Sequence, residues 1–157
     1  MILDALILQS KLFLNGDMGI NIEDVKTDEV DINKLQLKDY TSMVGTGGSL
    51  NILIVITYQQ SLLDYLMEQF LEGEEVSEDE RQDYLDSVSG EVINTIIGLA
   101  LPTFPNRGKG VTITPPIMIN DASHITKNKN SEIISANIVT DQGEMSIGAV
   151  GPVDIIK

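Results

Sequence analysis

The stretch SVSGEVINTIIGLALP, residues 87–102, sets a carboxylate, Glu91, and a carboxamide, Asn94, three residues apart in a segment whose apolar residues recur at helical spacing. At about 100° per residue such a pair lies one turn apart on one face of a helix. The carboxylate can pair with a cation, and the carboxamide both donates and accepts hydrogen bonds. Ser87 and Gly98 extend the pair into a stripe at i, i+4, i+7 and i+11, within an arc of about 60°. Gly90, Asn94 and Gly98 recur every four residues. Glycine costs a helix about 1 kcal/mol relative to alanine, and asparagine about half to two-thirds of that, so the pattern needs a reason. Three readings are open: a solvated face that tolerates weak helix formers, a face for close packing by another helix or subunit, and a recognition and catalytic face. In the last, small Ser87, Gly90 and Gly98 would let another protein approach Glu91 and Asn94.

The helix that must carry this stripe is predicted from residue 78 to about 100. Ser77 with Glu80 three residues on reads as a capping box at its start. Leu85, Val88, Val92, Ile96, Leu99 and Ala100 fall on one apolar arc, with Tyr84, Ile93 and Ile97 at its margins, and that arc is the predicted core face. Upstream, apolar positions over residues 1–14 predict a first helix ending before Asn15-Gly16, and QQSLLDYLMEQFLEG predicts another, stopped at Gly73. MGINIEDV and KLQLKDYTSMVG read as strands. GTGGSLNILIVITY reads as a glycine turn leading into a central strand that pairs back on residues 37–45. After the long helix come a loop, PTFPNRGKG, a strand broken at Pro115-Pro116, a flexible hairpin tip over residues 121–132, and a long hairpin turning at Asp141-Gln142-Gly143. The expected fold is α+β, a mainly antiparallel sheet with long helices packed against it, in a single domain over residues 1–157.

Composition removes several function classes. The formal net charge of −14 argues against nucleic acid and against an anionic membrane surface, both of which need a basic footprint. Acid concentrates between residues 68 and 91, where Arg81 is the only base; a solvated helix junction accounts for such a run, and a docking surface for a basic partner is the alternative. With no cysteine and one histidine, His124, thiolate metal sites and multi-histidine sites are excluded, and the compartment expected is the cytoplasm. The apolar N-terminal stretch has no basic region before it and carries Asp4, which predicts no signal peptide, and no apolar run reaches the length of a membrane span. GTGG precedes a strand and lacks a following Lys-Ser/Thr, so it reads as a turn and not a phosphate loop. Arg107 and Lys109 read as a solvated loop, His124 as a surface residue, and the scattered methionines as core filling.

SVSGEVIN resembles the signature of the CheC/CheX/FliY family of bacterial chemotaxis phosphatases: Asp or Ser, three residues, Glu, two residues, Asn, and a proline some twenty residues later. Ser87, Glu91 and Asn94 fill its first three positions, and Pro115 or Pro116 stands near the fourth. The order of the glycine-rich strand, the helix before the motif and the strands after it is similar as well. CheC-like members carry two motif helices; LDALILQSKLFLNG has no Glu-x-x-Asn, so the single-motif, CheX-type arrangement is the better match. The resemblance implies a CheX-like or CheC-like fold and a phosphatase acting on the aspartyl phosphate of a CheY-type response regulator. It further implies that Asn94 holds the attacking water, that Glu91 pairs with the regulator's active-site lysine, and that Ser87, Gly90 and Gly98 keep the docking face slim. Neither a cofactor nor a metal on this chain is implied, because the regulator brings its own Mg²⁺; a homodimer is. The alternative from another class is a non-catalytic binding or scaffold module in a signalling or flagellar assembly.

Overall fold

The computed structural model describes residues 2–28, 34–126 and 128–156. Met1, at the head of the predicted first helix, and Lys127, within the predicted hairpin tip, lie outside them. Helix α1 (Ile2–Lys11) runs directly into a wider π-helical turn (Leu12–Asp17), so the chain stays helical through Asn15-Gly16, beyond the predicted end. Strand β1 (Ile22–Asp28) follows, then β2 (Lys34–Gln36), β3 (Tyr40–Gly48) and β4 (Leu53–Tyr58), helices α2 (Gln60–Leu71) and α3 (Glu78–Ala100), and β5 (Val111–Ile113) to β7 (His124–Thr126) with β6 (Ile117–Asn120) between. The long hairpin β8 (Ser131–Thr140) and β9 (Gly143–Pro152) and a short helix α4 (Val153–Ile156) complete the chain.

Seven strands form one sheet in the order β1-β8-β9-β4-β3-β5, with β6 also on β3, and all its pairings are antiparallel. This is the α+β architecture expected from the sequence. The helices lie on one face. Alternate residues of the central strands, among them Val44, Ile54, Ile56, Met145, Ile147 and Ala149, meet Leu6, Leu62, Leu66, Val92, Ile93 and Ile96 from the helices in one buried cluster. On the other face Val55 and Ile133 are covered by Leu35 of β2, which pairs with β7 in a separate two-stranded sheet.

That small sheet corrects two expectations. Residues 34–45 divide into β2 and β3 because Leu35 is drawn across the outer face, while Lys38 N–H bonds Thr57 Oγ1 at 2.7 Å and Asp39 turns back to accept the Gln60 amide at 2.8 Å. Residues 124–126, expected in a flexible tip, are the partner strand β7, with His124 exposed on it. The Asp39 carboxylate therefore supplies the start of α2, where negative charge is favoured by the unpaired amides.

The glycine turn is also displaced. Gly47 and Gly48 belong to β3 and pair with Thr112 and Val111 of β5, and the chain reverses over residues 49–52 instead. Gly48 has φ +76°, and a methyl group built on it would collide with the carbonyl oxygen of Gly110. Close approach of β5, more than a turn, explains these glycines. At α3, Ser77 occupies the N-cap position with extended backbone, but its side chain makes no capping bond; the Glu80 amide bonds the Ser77 carbonyl at 3.0 Å. The predicted capping box is absent, and Glu78, Asp79 and Glu80 in the first turn favour that end electrostatically.

Gly48→Ala should lower the urea midpoint, by an amount equivalent to about 2–4 kcal/mol, because it adds both backbone strain and a backbone collision. A parental midpoint would show that β5 does not depend on this contact.

Candidate functional site

Helix α3 is seated by its apolar residues, and their arc decides where everything else points. Leu85, Val88, Val92, Ile93, Ile96, Ile97 and Ala100 are all buried, together with Ser89 and Gly90. The centre of this arc is rotated by about 45° from the one expected from the sequence, at 100° per residue. Ile93 and Ile97, expected at the margins, are fully buried, whereas Leu99, expected in the core, is 54 % exposed. Ile93 and Ile97 join the buried cluster that α1, α2 and the sheet share with α3, and the last turn leaves Leu99 uncovered.

A polar tether lies inside the same arc. Tyr40, 2 % exposed on β3, donates its hydroxyl proton to Asp86 Oδ1. Burial first, then the hydrogen bond to Asp86, pushes the Tyr40 phenol far above its ordinary range, so it stays protonated and donates. Gln82 Nε2 bonds the same carboxylate oxygen at 2.9 Å. Asn120 Nδ2 on β6 reaches Gln82 Oε1 at 3.4 Å. Asp86 and Tyr40 were missed as a pair in the sequence. The available signal was angular: Asp86 stands four residues before Gly90, on the core side of the helix, where a carboxylate requires a partner.

The opposite side of α3 carries Ser87, Glu91, Asn94 and Gly98, all exposed as expected. Among the described residues, neither Glu91 nor Asn94 is engaged by another side chain. A methyl group built at Gly98 would meet nothing within 4 Å. Gly90 departs from the expectation. It is buried, and a methyl group there would stand 3.7 Å from Pro116 Cγ, so Gly90 receives the proline ring instead of presenting a bare backbone to a visitor. Pro116 thereby walls one flank of the stripe. On the other flank a groove of about 300 Å³ is lined by Phe70 and Leu71 of α2 with Tyr84, Ser87, Val88 and Glu91 of α3.

The site is thus a convex ridge, with a carboxylate and a carboxamide on a rigid helix between a proline wall and an apolar groove. Such a ridge can enter a cleft of another protein and hold a small polar group there. Among the described residues no group of three or more acidic or histidine side chains could hold a metal ion, and no helix is long and apolar enough to cross a membrane.

Comparison with known proteins identifies the family and the fold. Residues 40–138, from β3 through the motif helix into β8, match the model of the family described as chemotaxis phosphatase CheX. No curated protein sequence matches the chain significantly. The fold is similar to the chemotaxis protein CheX of Desulfovibrio desulfuricans, with a TM-score of 0.76 at 19 % identity over 94 % of this chain and 97 % of that one. It is similar to CheX of Vibrio vulnificus, with a TM-score of 0.72 at 15 % identity over 95 % of each chain. A chain of the CheX–CheY–BeF₃–Mg²⁺ complex of Borrelia burgdorferi gives a TM-score of 0.67 at 21 % identity, covering 96 % of this chain and 94 % of its own. The family model spans most of the chain, including the ridge and the proline that flanks it, and the protein belongs to the CheX family of chemotaxis phosphatases.

Proposed function

We propose that this protein hydrolyses the aspartyl phosphate of a CheY-type response regulator, with Asn94 positioning the water and Glu91 docking to the regulator's active-site lysine. The observation that carries the reading is the pairing of Glu91 and Asn94, exposed and unengaged, on one ridge of α3. Family membership supports the activity in general, and the Borrelia burgdorferi complex shows a CheX and a CheY brought together with BeF₃ and Mg²⁺.

The chemistry asks little of the visiting protein. An acyl phosphate is already activated, and Mg²⁺ comes with the regulator, so what is missing is a water held in line with the phosphorus. The Asn94 carboxamide accepts a hydrogen bond from that water through its oxygen, and its amide group donates to the phosphoryl oxygens or to the water. Attack forms the new P–O bond as the bond to the aspartate oxygen breaks, releasing inorganic phosphate and a free carboxylate. Glu91, one turn earlier, sets the helix in register by a charge-assisted contact that strengthens as docking excludes water. Ser87 and Gly98 leave room beside the working pair, and Pro116 packed on Gly90 holds the flank rigid.

We also propose a homodimer that leaves the ridge free. Among the described residues β1 pairs only with β8 and forms one edge of the sheet, and Leu8 and Leu12 of the neighbouring helical segment are more than half exposed. An open edge beside apolar side chains is a surface suited to a second copy.

Asn94→Ala should slow dephosphorylation of an acetyl-phosphate-labelled regulator about 10- to 100-fold, or about 1.4–2.8 kcal/mol of transition-state stabilisation. Glu91→Ala should weaken complex formation as well as turnover. Full activity in Asn94→Ala would remove it from the catalytic role, and unchanged decay of several regulators with the parent protein would favour a scaffold.

Stability should move the other way. Asn94→Ala should raise the urea midpoint by about 0.5 kcal/mol and Gly98→Ala by up to about 1 kcal/mol, because alanine is the better helix former at an exposed position. Loss of stability in both would mean that the ridge is packed in solution.

Sedimentation at micromolar concentration should give a dimer. A monomer, or a dimer whose interface covers the stripe from Ser87 to Gly98, would contradict the assembly proposed.

A further inference from the structure

Apart from Ser87 and Glu91 on its boundary, the groove on the flank of the ridge is not used by the chemistry above. Its floor and walls are apolar, from Phe70, Leu71, Tyr84 and Val88, and its polar boundary is Ser87 and Glu91. Phe70 and Tyr84 are 38 % and 37 % exposed, uncommon for aromatic side chains that the same helices could have turned inward. Its α3 residues stand three to ten positions before Asn94, so its centre is displaced along the axis by about 10 Å from Asn94. A partner domain that reaches Asn94 is wide enough to cover it as well.

Charge restricts what fits. Chain leaving the groove at Leu71 continues through Glu72, Glu74 and Glu75, all exposed, and Tyr84 is preceded by exposed Glu80 and Asp83. Between residues 39 and 106 the only basic residue is Arg81, and its guanidinium is held by Asp64 at 2.6 Å. No cation of this chain within that span is available to neutralise the rim. An apolar slot with an acidic, uncompensated rim is matched by a side chain with an aliphatic stem and a cationic head.

We infer that the groove seats a second basic side chain of the phosphorylated regulator, a lysine or arginine outside the regulator's active site, and that this contact selects which regulators the protein accepts. The inference rests on the phosphatase reading for the identity of the partner. The stem lies along Phe70, Leu71 and Val88, the head stays at the acidic rim beside Tyr84, and the ridge is then held at two points about two helical turns apart, at Tyr84 and at Glu91. Two-point attachment fixes rotation of the helix in the regulator's cleft, which one Glu91–lysine pair leaves free.

The test uses the full chain and a CheY-type regulator loaded with BeF₃ and Mg²⁺, with Kd measured by titration and KM and kcat measured in parallel on the phosphorylated regulator. Tyr84→Lys places a like charge at the mouth of the groove and should raise Kd and KM about tenfold, with kcat within about twofold. Tyr84→Phe should bind as the parent does. Raising NaCl from about 50 to about 300 mM should weaken the parent more than Tyr84→Lys, because the screened attraction is already lost in the variant. Parental Kd in Tyr84→Lys, while Asn94→Ala remains slow, overturns the groove alone. Weakening in Tyr84→Lys with equal salt responses overturns the basic occupant in favour of an apolar one. Parental turnover in Asn94→Ala overturns the phosphatase reading whatever Tyr84 does.

Discussion

Burial of one side of helix α3 against the sheet holds the whole site, since Glu91 and Asn94 have no support of their own among the described residues. A helix is rigid over its length, and rotating it about its axis moves every side chain together. The rotation is set by two different forces. The apolar arc from Leu85 to Ala100 gives a broad, non-directional preference. The Tyr40–Asp86 hydrogen bond adds direction, because a buried phenol and a carboxylate are satisfied only at one angle. Pro116 against Gly90 then closes the gap through which the helix could roll.

Much of this was legible beforehand because periodicity carries strong information over long elements. The length of α3, the strand break at Pro115-Pro116, the hairpin at residues 141–143 and the exposed side of Glu91 and Asn94 all follow from spacing. What spacing could not show was tertiary. Nothing local says that Leu35 is needed on the outer face of the sheet, so the division of residues 34–45 into two strands was hidden. Gly47 and Gly48 read as a turn because glycine serves turns and close backbone contacts alike. Gly90 shares its four-residue spacing with Gly98, which suggests a common face, yet Pro116 packs on the one and nothing covers the other.

The acidity of the α2–α3 face makes the same surface demanding in another respect. In the proposed complex the ridge, flanked by this acidic face, meets a regulator pocket that itself holds carboxylate and phosphate chemistry, and like charges repel at a distance. The contact is favourable only at short range, where specific pairs form and water is excluded. On that reading a partner without matching cations is disfavoured, a means of discrimination requiring no dedicated blocking residue.

The strand break beside the ridge limits the language in which a partner can be read. Strands β5 and β6 border the sheet with only three and four residues, and Pro115 and Pro116 between them offer no amide protons. An extended peptide cannot lay a continuous ladder there, so this side of the molecule is closed to β-augmentation. In the complex proposed above, recognition on this side is therefore left to the side chains of the helical ridge, and a partner is read by the surface it presents and not by a strand it could add.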